Sequence, residues 1–182
     1  MKTTLITVLA ASLATLASAI PAPAAAEGKV QLAPLPAGSV DGIYAGDLNE
    51  DGTTKWTLIE ALNNSTASAP AAVEKRQGAS GVHCAGSWVN SDDRYAALLA
   101  LGDYCGPNGR FFNSRTISVQ RNSVVAYGCN YRGSTGTTCW KGSTVDRLNQ
   151  VSNTCGWSVA GWWSLGQGHS SYGFTSAGTL HC

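Results

Sequence analysis

Every cysteine of this chain lies in its last 99 residues: Cys84, Cys105, Cys129, Cys139, Cys155 and Cys182, with none before them. An even set in so short a stretch points to disulfides made in an oxidising compartment. Six cysteines allow fifteen pairings, and spacing alone does not choose among them. No Cys-x-x-Cys pair occurs, which disfavours a structural zinc site, since zinc fingers and ribbons present their thiolates at that spacing.

The residues ahead of the cysteines divide in two. Met1–Ala19 carries Lys2, an apolar run from Leu5 to Leu16 and then Ala17-Ser18-Ala19, the pattern of a secretory signal peptide. The run is too short to span a bilayer. Residues 20–76 are rich in Pro and Ala at both ends and close on Lys75-Arg76. A basic pair after a small-residue linker reads as a processing site, so 20–76 is expected to be a pro-segment and 77–182 the mature domain, beginning at Gln77. The full chain has a formal net charge of +1, which gives no reason to expect nucleic-acid binding. That total conceals an asymmetry: 77–182 holds six Arg and Lys141 against four Asp, whereas 20–76 has an acidic excess. Opposite charges favour association of the two parts before cleavage, weakly because of screening.

Periodicity within 77–182 predicts two helices among strands. Ser91 is placed to cap a helix with Tyr95, Leu98 and Leu99 on one face, ending near Gly102 and Cys105. Thr116–Gln120 alternates with Ile117 and Val119 on one side, and Arg121-Asn122 turns the chain into Ser123–Tyr131, where Val125, Tyr127, Cys129 and Tyr131 share a face. Arg132–Thr138 reads as a loop. Ser143 and Asp146 look like a capping box for a helix carrying Val145, Leu148 and Val151 and stopping at Gly156. Trp157–Ser164 and Tyr172–His181 complete a β-α-β-β-α-β-β order. The fold class expected is therefore α+β, a small disulfide-bridged two-layer sandwich of antiparallel sheet and two helices.

The opening Gly81-Val82-His83-Cys84-Ala85-Gly86-Ser87, the strand Ala126-Tyr127-Gly128-Cys129, the helix running into Cys155-Gly156 and the final Cys182 together resemble the KP4-type killer toxins of fungi and the related Ecp2-like secreted effectors. The resemblance covers 77–182 and none of 1–76. It implies a bridged α/β sandwich that acts without catalysis, and it implies the pairs Cys84–Cys155, Cys105–Cys139 and Cys129–Cys182. Two departures stand out. The best-known toxin has ten cysteines, and its functional lysine has no counterpart in the stretch from Arg115 to Arg121, so channel blocking is not carried over.

Other chemistry is thinly supported. Asp47-Leu48-Asn49-Glu50-Asp51-Gly52 matches half of a calcium loop, but Leu58 stands where the bidentate acid belongs, and a hairpin turn is the expectation. His83 and His181 each precede a cysteine that is expected to be bridged, and a bridged cysteine offers no thiolate to a metal. A ribonuclease would need Asp92, Asp93 or Asp103 as base beside a histidine such as His169, because 77–182 contains no Glu. No Gly-x-Ser-x-Gly elbow occurs there. Five Trp and five Tyr in 77–182 are the more suggestive feature. Adjacent Trp162 and Trp163 on a strand must face opposite ways, so one is expected in an exposed aromatic row beside Tyr172 or Trp140. Arg110, Arg115 and Arg121 suggest a basic edge around the first hairpin. Both Asn-x-Ser/Thr sequons, at Asn63 and Asn64, fall in the pro-segment.

The expectation is thus a secreted, extracellular, monomeric effector or killer-like toxin with no cofactor or metal. Its partner would be a host or competitor cell-surface protein or a cell-wall polysaccharide, not a nucleic acid, and it would have no membrane span. Trp162, Trp163, Tyr172, Trp140, Arg115 and Arg121 form the candidate binding surface. A chitin- or glucan-binding module and a secreted ribonuclease are the alternatives.

Overall fold

A computed structural model describes residues 32–63, 81–164 and 169–182. The leader 1–19, the Lys75-Arg76 pair with Gln77, and Asn64 lie outside these residues. The described elements are β1 (Gly42–Leu48), β2 (Thr54–Ala61), β3 (Val82–Trp88), α1 (Ser91–Cys105), β4 (Arg110–Phe112), β5 (Thr116–Arg121), β6 (Val124–Asn130), β7 (Thr137–Cys139), α2 (Lys141–Cys155), β8 (Val159–Ser164) and β9 (Ser170–Ser176). Seven strands form one sheet in the order β2-β1-β5-β6-β9-β8-β3, while β4 and β7 pair as a separate ribbon. Every pairing is antiparallel. Both helices cover one face, so the fold is a small α+β sandwich.

The main difference from expectation is where the sheet begins. β1 and β2 come from the cysteine-free region, and β1 pairs along β5 from Gly42↔Gln120 to Gly46↔Thr116. The alternation of β1 explains why it does not hang free. Ile43 and Ala45 enter the core under the helices, and Tyr44 packs with Leu35 and Val125 on the opposite face, as a strand buried on both sides requires. The run Asp47–Gly52 is a hairpin turn: Asp51 Oδ1 accepts from the Thr53 amide at 2.9 Å and from its hydroxyl at 2.6 Å.

Helix α1 is capped one residue earlier than predicted. Asn90, not Ser91, accepts from the amides of Asp92 and Asp93 at 2.9 and 3.0 Å, satisfying donors that the first turn leaves free. Its buried stripe is Arg94, Ala97, Leu98 and Leu101. Gly102 lets α2 approach, because a Cβ there would sit 2.7 Å from Val145 Cγ2. Helix α2 also starts early, at Lys141, with Trp140 at the cap position and no side-chain cap. The Ser143–Asp146 box is not used as a start. β7 runs straight into α2 instead, and the Lys141 amide bonds the Gly106 carbonyl at the end of α1 at 2.9 Å. Gly156 ends α2 as expected.

The disulfides join Cys84 to Cys155, Cys105 to Cys139 and Cys129 to Cys182, the set that the resemblance implies. They tie the edge strand β3 to the end of α2, α1 to the β4–β7 ribbon, and the central strand β6 to the last residue of the sequence. Each such bond stabilises a small domain by roughly 2–4 kcal/mol. Three bridges within one chain are typical of extracellular proteins. None reaches residues 32–63, which contain no cysteine. Among the described residues no helix is long and apolar enough to cross a membrane.

Candidate binding surface

Strand register lines up one transverse row across the face that the helices leave open. It runs His83, Trp162, Gly173, Tyr127, Ser118, Tyr44, one residue per strand from β3 to β1. At the β3 end it is open: exposed His83 stacks on half-buried Trp162 at 5.1 Å between ring centroids. At the other end it is sealed. His181 stacks on Tyr127 at 4.8 Å, Trp56 lies tilted over the same imidazole at 5.6 Å, and Leu32 bridges His181 through the backbone. The Trp56 indole donates to the carbonyls of Ala33 and Pro34, which pins the 32–35 stretch across the row.

His181 Nε2 lies 2.8 Å from Ser118 Oγ, and Nδ1 lies 3.2 Å from the Thr179 carbonyl. A carbonyl acceptor at Nδ1 assigns the proton there and leaves Nε2 to accept from the serine. A hydroxyl, an imidazole and an orienting acceptor are the parts of a nucleophile–base pair, and no sequence motif announced this one. Both residues are buried under Leu32 and Trp56, so no substrate reaches them in this arrangement. Burial pushes the His181 pKa down to about 4, and burial also raises that of the Tyr127 phenol. Both rings are therefore neutral at ordinary pH.

Of the basic edge expected around the first hairpin, Arg121 is engaged by the cysteine-free region. Arg121 Nη1 donates to the Asn63 carbonyl at 2.7 Å and lies 3.8 Å from Asp41 Oδ2. Asp41 Oδ1 accepts the neighbouring Asn122 amide at 2.7 Å. The Arg115 amide donates to Asp47 Oδ1 at 2.9 Å. Among the described residues, one ion pair, Arg121–Asp41, joins the cysteine-free region to the bridged one, and Asp41 and Asp47 otherwise accept backbone amides. Arg110 does something else: its guanidinium lies 4.2 Å over the Tyr104 ring. Both residues help line a shallow cleft of about 410 Å³ between α1 and the β1–β2 hairpin, with Ile43, Glu60 and Leu62 on the far wall.

The expected aromatic cluster is not one surface. Tyr172 is only 1% exposed, because its ring covers Gly128 and lies beneath the Arg147 guanidinium, which also caps Trp163 at 4.4 Å. Trp163 packs against the core, on the opposite side of β8 from Trp162. Arg94, one of six arginines that composition would leave on the surface, is fully buried. Its guanidinium is 3.9 Å from the Trp157 ring centroid and donates to Ser152, and burial draws its pKa down to about 10.

Trp140 is the expected residue that remains exposed, at 49%, and it has a partner that sequence reasoning missed: Phe111, 62% exposed. The pairing Phe111↔Thr138 within the β4–β7 ribbon puts both side chains on one face, since Trp140 is two residues beyond Thr138. Each ring lies on a glycine. A Cβ at Gly109 would clash with the Trp140 indole, and one at Gly136 with the Phe111 ring. The rings therefore lie against backbone and stay open to solvent. Cys105–Cys139 anchors this ribbon to α1. The signal for it was the glycine spacing around Arg110-Phe111-Phe112, in a segment too short for periodicity to register.

No group of three or more His, Cys, Asp or Glu among the described residues is arranged to hold a metal ion. No family model, curated protein or solved structure matches the chain.

Proposed function

We propose that this chain is a secreted effector or killer-like toxin that acts by binding a host or competitor cell-surface target, and that Phe111 and Trp140 make the contact. The carrying observation is the pair of outward-facing rings seated on Gly109 and Gly136 in a disulfide-anchored ribbon. Such rings bring large apolar area that is already ordered, so little side-chain entropy is lost on binding. Several candidate acid–base groups are engaged elsewhere, which supports binding over catalysis: His181 is sealed, His83 stacks on Trp162, Asp93 accepts from Asn122 and Ser123, and Asp103 accepts from Lys141.

The leader, the export it directs and processing after Arg76 belong to the same reading. Added to leaf tissue or to competing fungi, the secreted protein is expected to cause cell death, altered immunity or growth arrest. The double variant Phe111→Ala/Trp140→Ala should lose at least tenfold in potency while unfolding at nearly the same temperature. Inertness of the parent protein in both assays would overturn the reading. The flat rings also suit stacking on sugar, which favours chitin or glucan as a second reading. Retention on insoluble chitin that vanishes in the double variant supports it, and no retention at low salt removes it.

A further inference from the structure

We infer that the N-terminal segment does not leave when the chain is cut after Arg76: residues 32–63 remain docked as a non-covalent subunit, so the working protein has two chains. The inference rests on the processing reading above and concerns what happens after the cut.

Three observations carry it. First, β1 is an inner strand, hydrogen-bonded to β2 on one side and to β5 on the other. Its loss would leave the β5 edge with unpaired amides and carbonyls. Second, the segment contributes to both faces of the sheet. Ile43 is buried in the main core with Ile117 and Val119, Tyr44 and Leu35 are buried against Val125, and Leu32 is buried at the His181 bridge. Exposing these apolar side chains to water would oppose departure of the segment. Third, polar groups pair across the seam and would have to exchange these partners for water without it. Gln120 Nε2 donates to the Ser39 carbonyl at 2.9 Å. The Asn122 and Arg115 amides donate to Asp41 and Asp47, and Arg121 donates to Asn63. None of these contacts involves the stretch that would be cut.

The test uses the purified full chain, cut with an endoprotease specific for Lys-Arg pairs. A denaturing gel scores the cut, and size-exclusion chromatography with native mass spectrometry at low micromolar protein and pH 7.5 scores retention. The expected result is two fragments on the gel and one native species carrying both. Separation into two species would overturn the inference. If this protease leaves the chain whole, the processing reading fails. A chain with another protease's recognition site in place of residues 73–76 then supplies the cut and decides retention on its own. In the cut protein, Asp41→Ala/Tyr44→Ala should weaken retention at least tenfold, whereas Lys55→Ala should leave it unchanged. Equal retention in both would also overturn the proposed seam. Circular dichroism of the uncut variants confirms that they fold.

Discussion

The two parts of this molecule are held in place by different means. Residues 81–182 are bound by three covalent bridges, and both helices belong to them. Residues 32–63 have no bridge and no helix, yet they supply an inner strand, part of the core and the cover of the opposite face. Covalent staples let a small domain tolerate a modest core. A segment without staples must rely on strand pairing, apolar burial and charge. The difference predicts that the two parts respond to different perturbations.

The largest contrast should come from Cys129→Ala/Cys182→Ala. Removing a native bridge from a small domain costs roughly 2–5 kcal/mol, and this bridge fixes the residue beside His181. Chemical denaturation should show that loss, together with faster hydrogen exchange in β1 because its cover is loosened. A loss confined to 81–182, with β1 protection unchanged, would break the link between the two parts.

Acid should act on the seam. His181 has a folded-state pKa near 4, below the ordinary value of about 6.5. Between those values the unfolded chain takes up a proton that the folded one refuses. Stability is therefore intact above about pH 6.5, falls as pH drops through that window, and loses about 3 kcal/mol by pH 4 from this group. The groups facing the imidazole are the Ser118 hydroxyl, the Tyr127 and Trp56 rings and the Thr179 carbonyl, and none of them is a carboxylate that would stabilise the imidazolium. His181→Gln should flatten unfolding free energy across this window, and an unchanged slope would refute the assignment. The Asp93 carboxyl behaves oppositely in cause. Burial alone would raise its pKa, but hydrogen bonds from Ser123 and Asn122 hold it below the usual value, so its own contribution is lost only at more acid pH.

The smallest effect is expected from Asp41→Ala, about 1.5 kcal/mol for losing a charged acceptor of the Asn122 amide. Added salt should weaken the parent more than this variant, as a partly exposed contact with Arg121 predicts.

Much of the bridged part was legible locally. Ile117 and Val119 alternate, Val125 and Tyr127 share a face, and Gly156 stops α2, because each is decided within a few residues. The disulfide pairs came from the resemblance, since fifteen pairings satisfy the spacing equally. What stayed hidden was long-range. Nothing in Gly42–Leu48 announces that its second partner, β5, lies 70 or more positions away, although the acidic excess of one part and the basic excess of the other pointed the right way. Arg94 was hidden for another reason: its burial depends on Trp157, in the turn after α2, and Phe174, in β9, closing over it. Phe111 went unseen because three residues are too few to show a period.

The strand order has a consequence for time and place. β2 and β3 are consecutive in the chain but stand at opposite edges of the sheet, about 29 Å apart at the usual strand spacing. While residues 64–80 join them, the hairpin is held near its site at an effective concentration on the order of millimolar. Cutting there breaks no contact that the structure displays. It replaces that fixed local concentration with the bulk concentration of the two fragments. Uncut, the fold is indifferent to dilution; once cut, dilution sets what fraction of the molecules keep β5 covered.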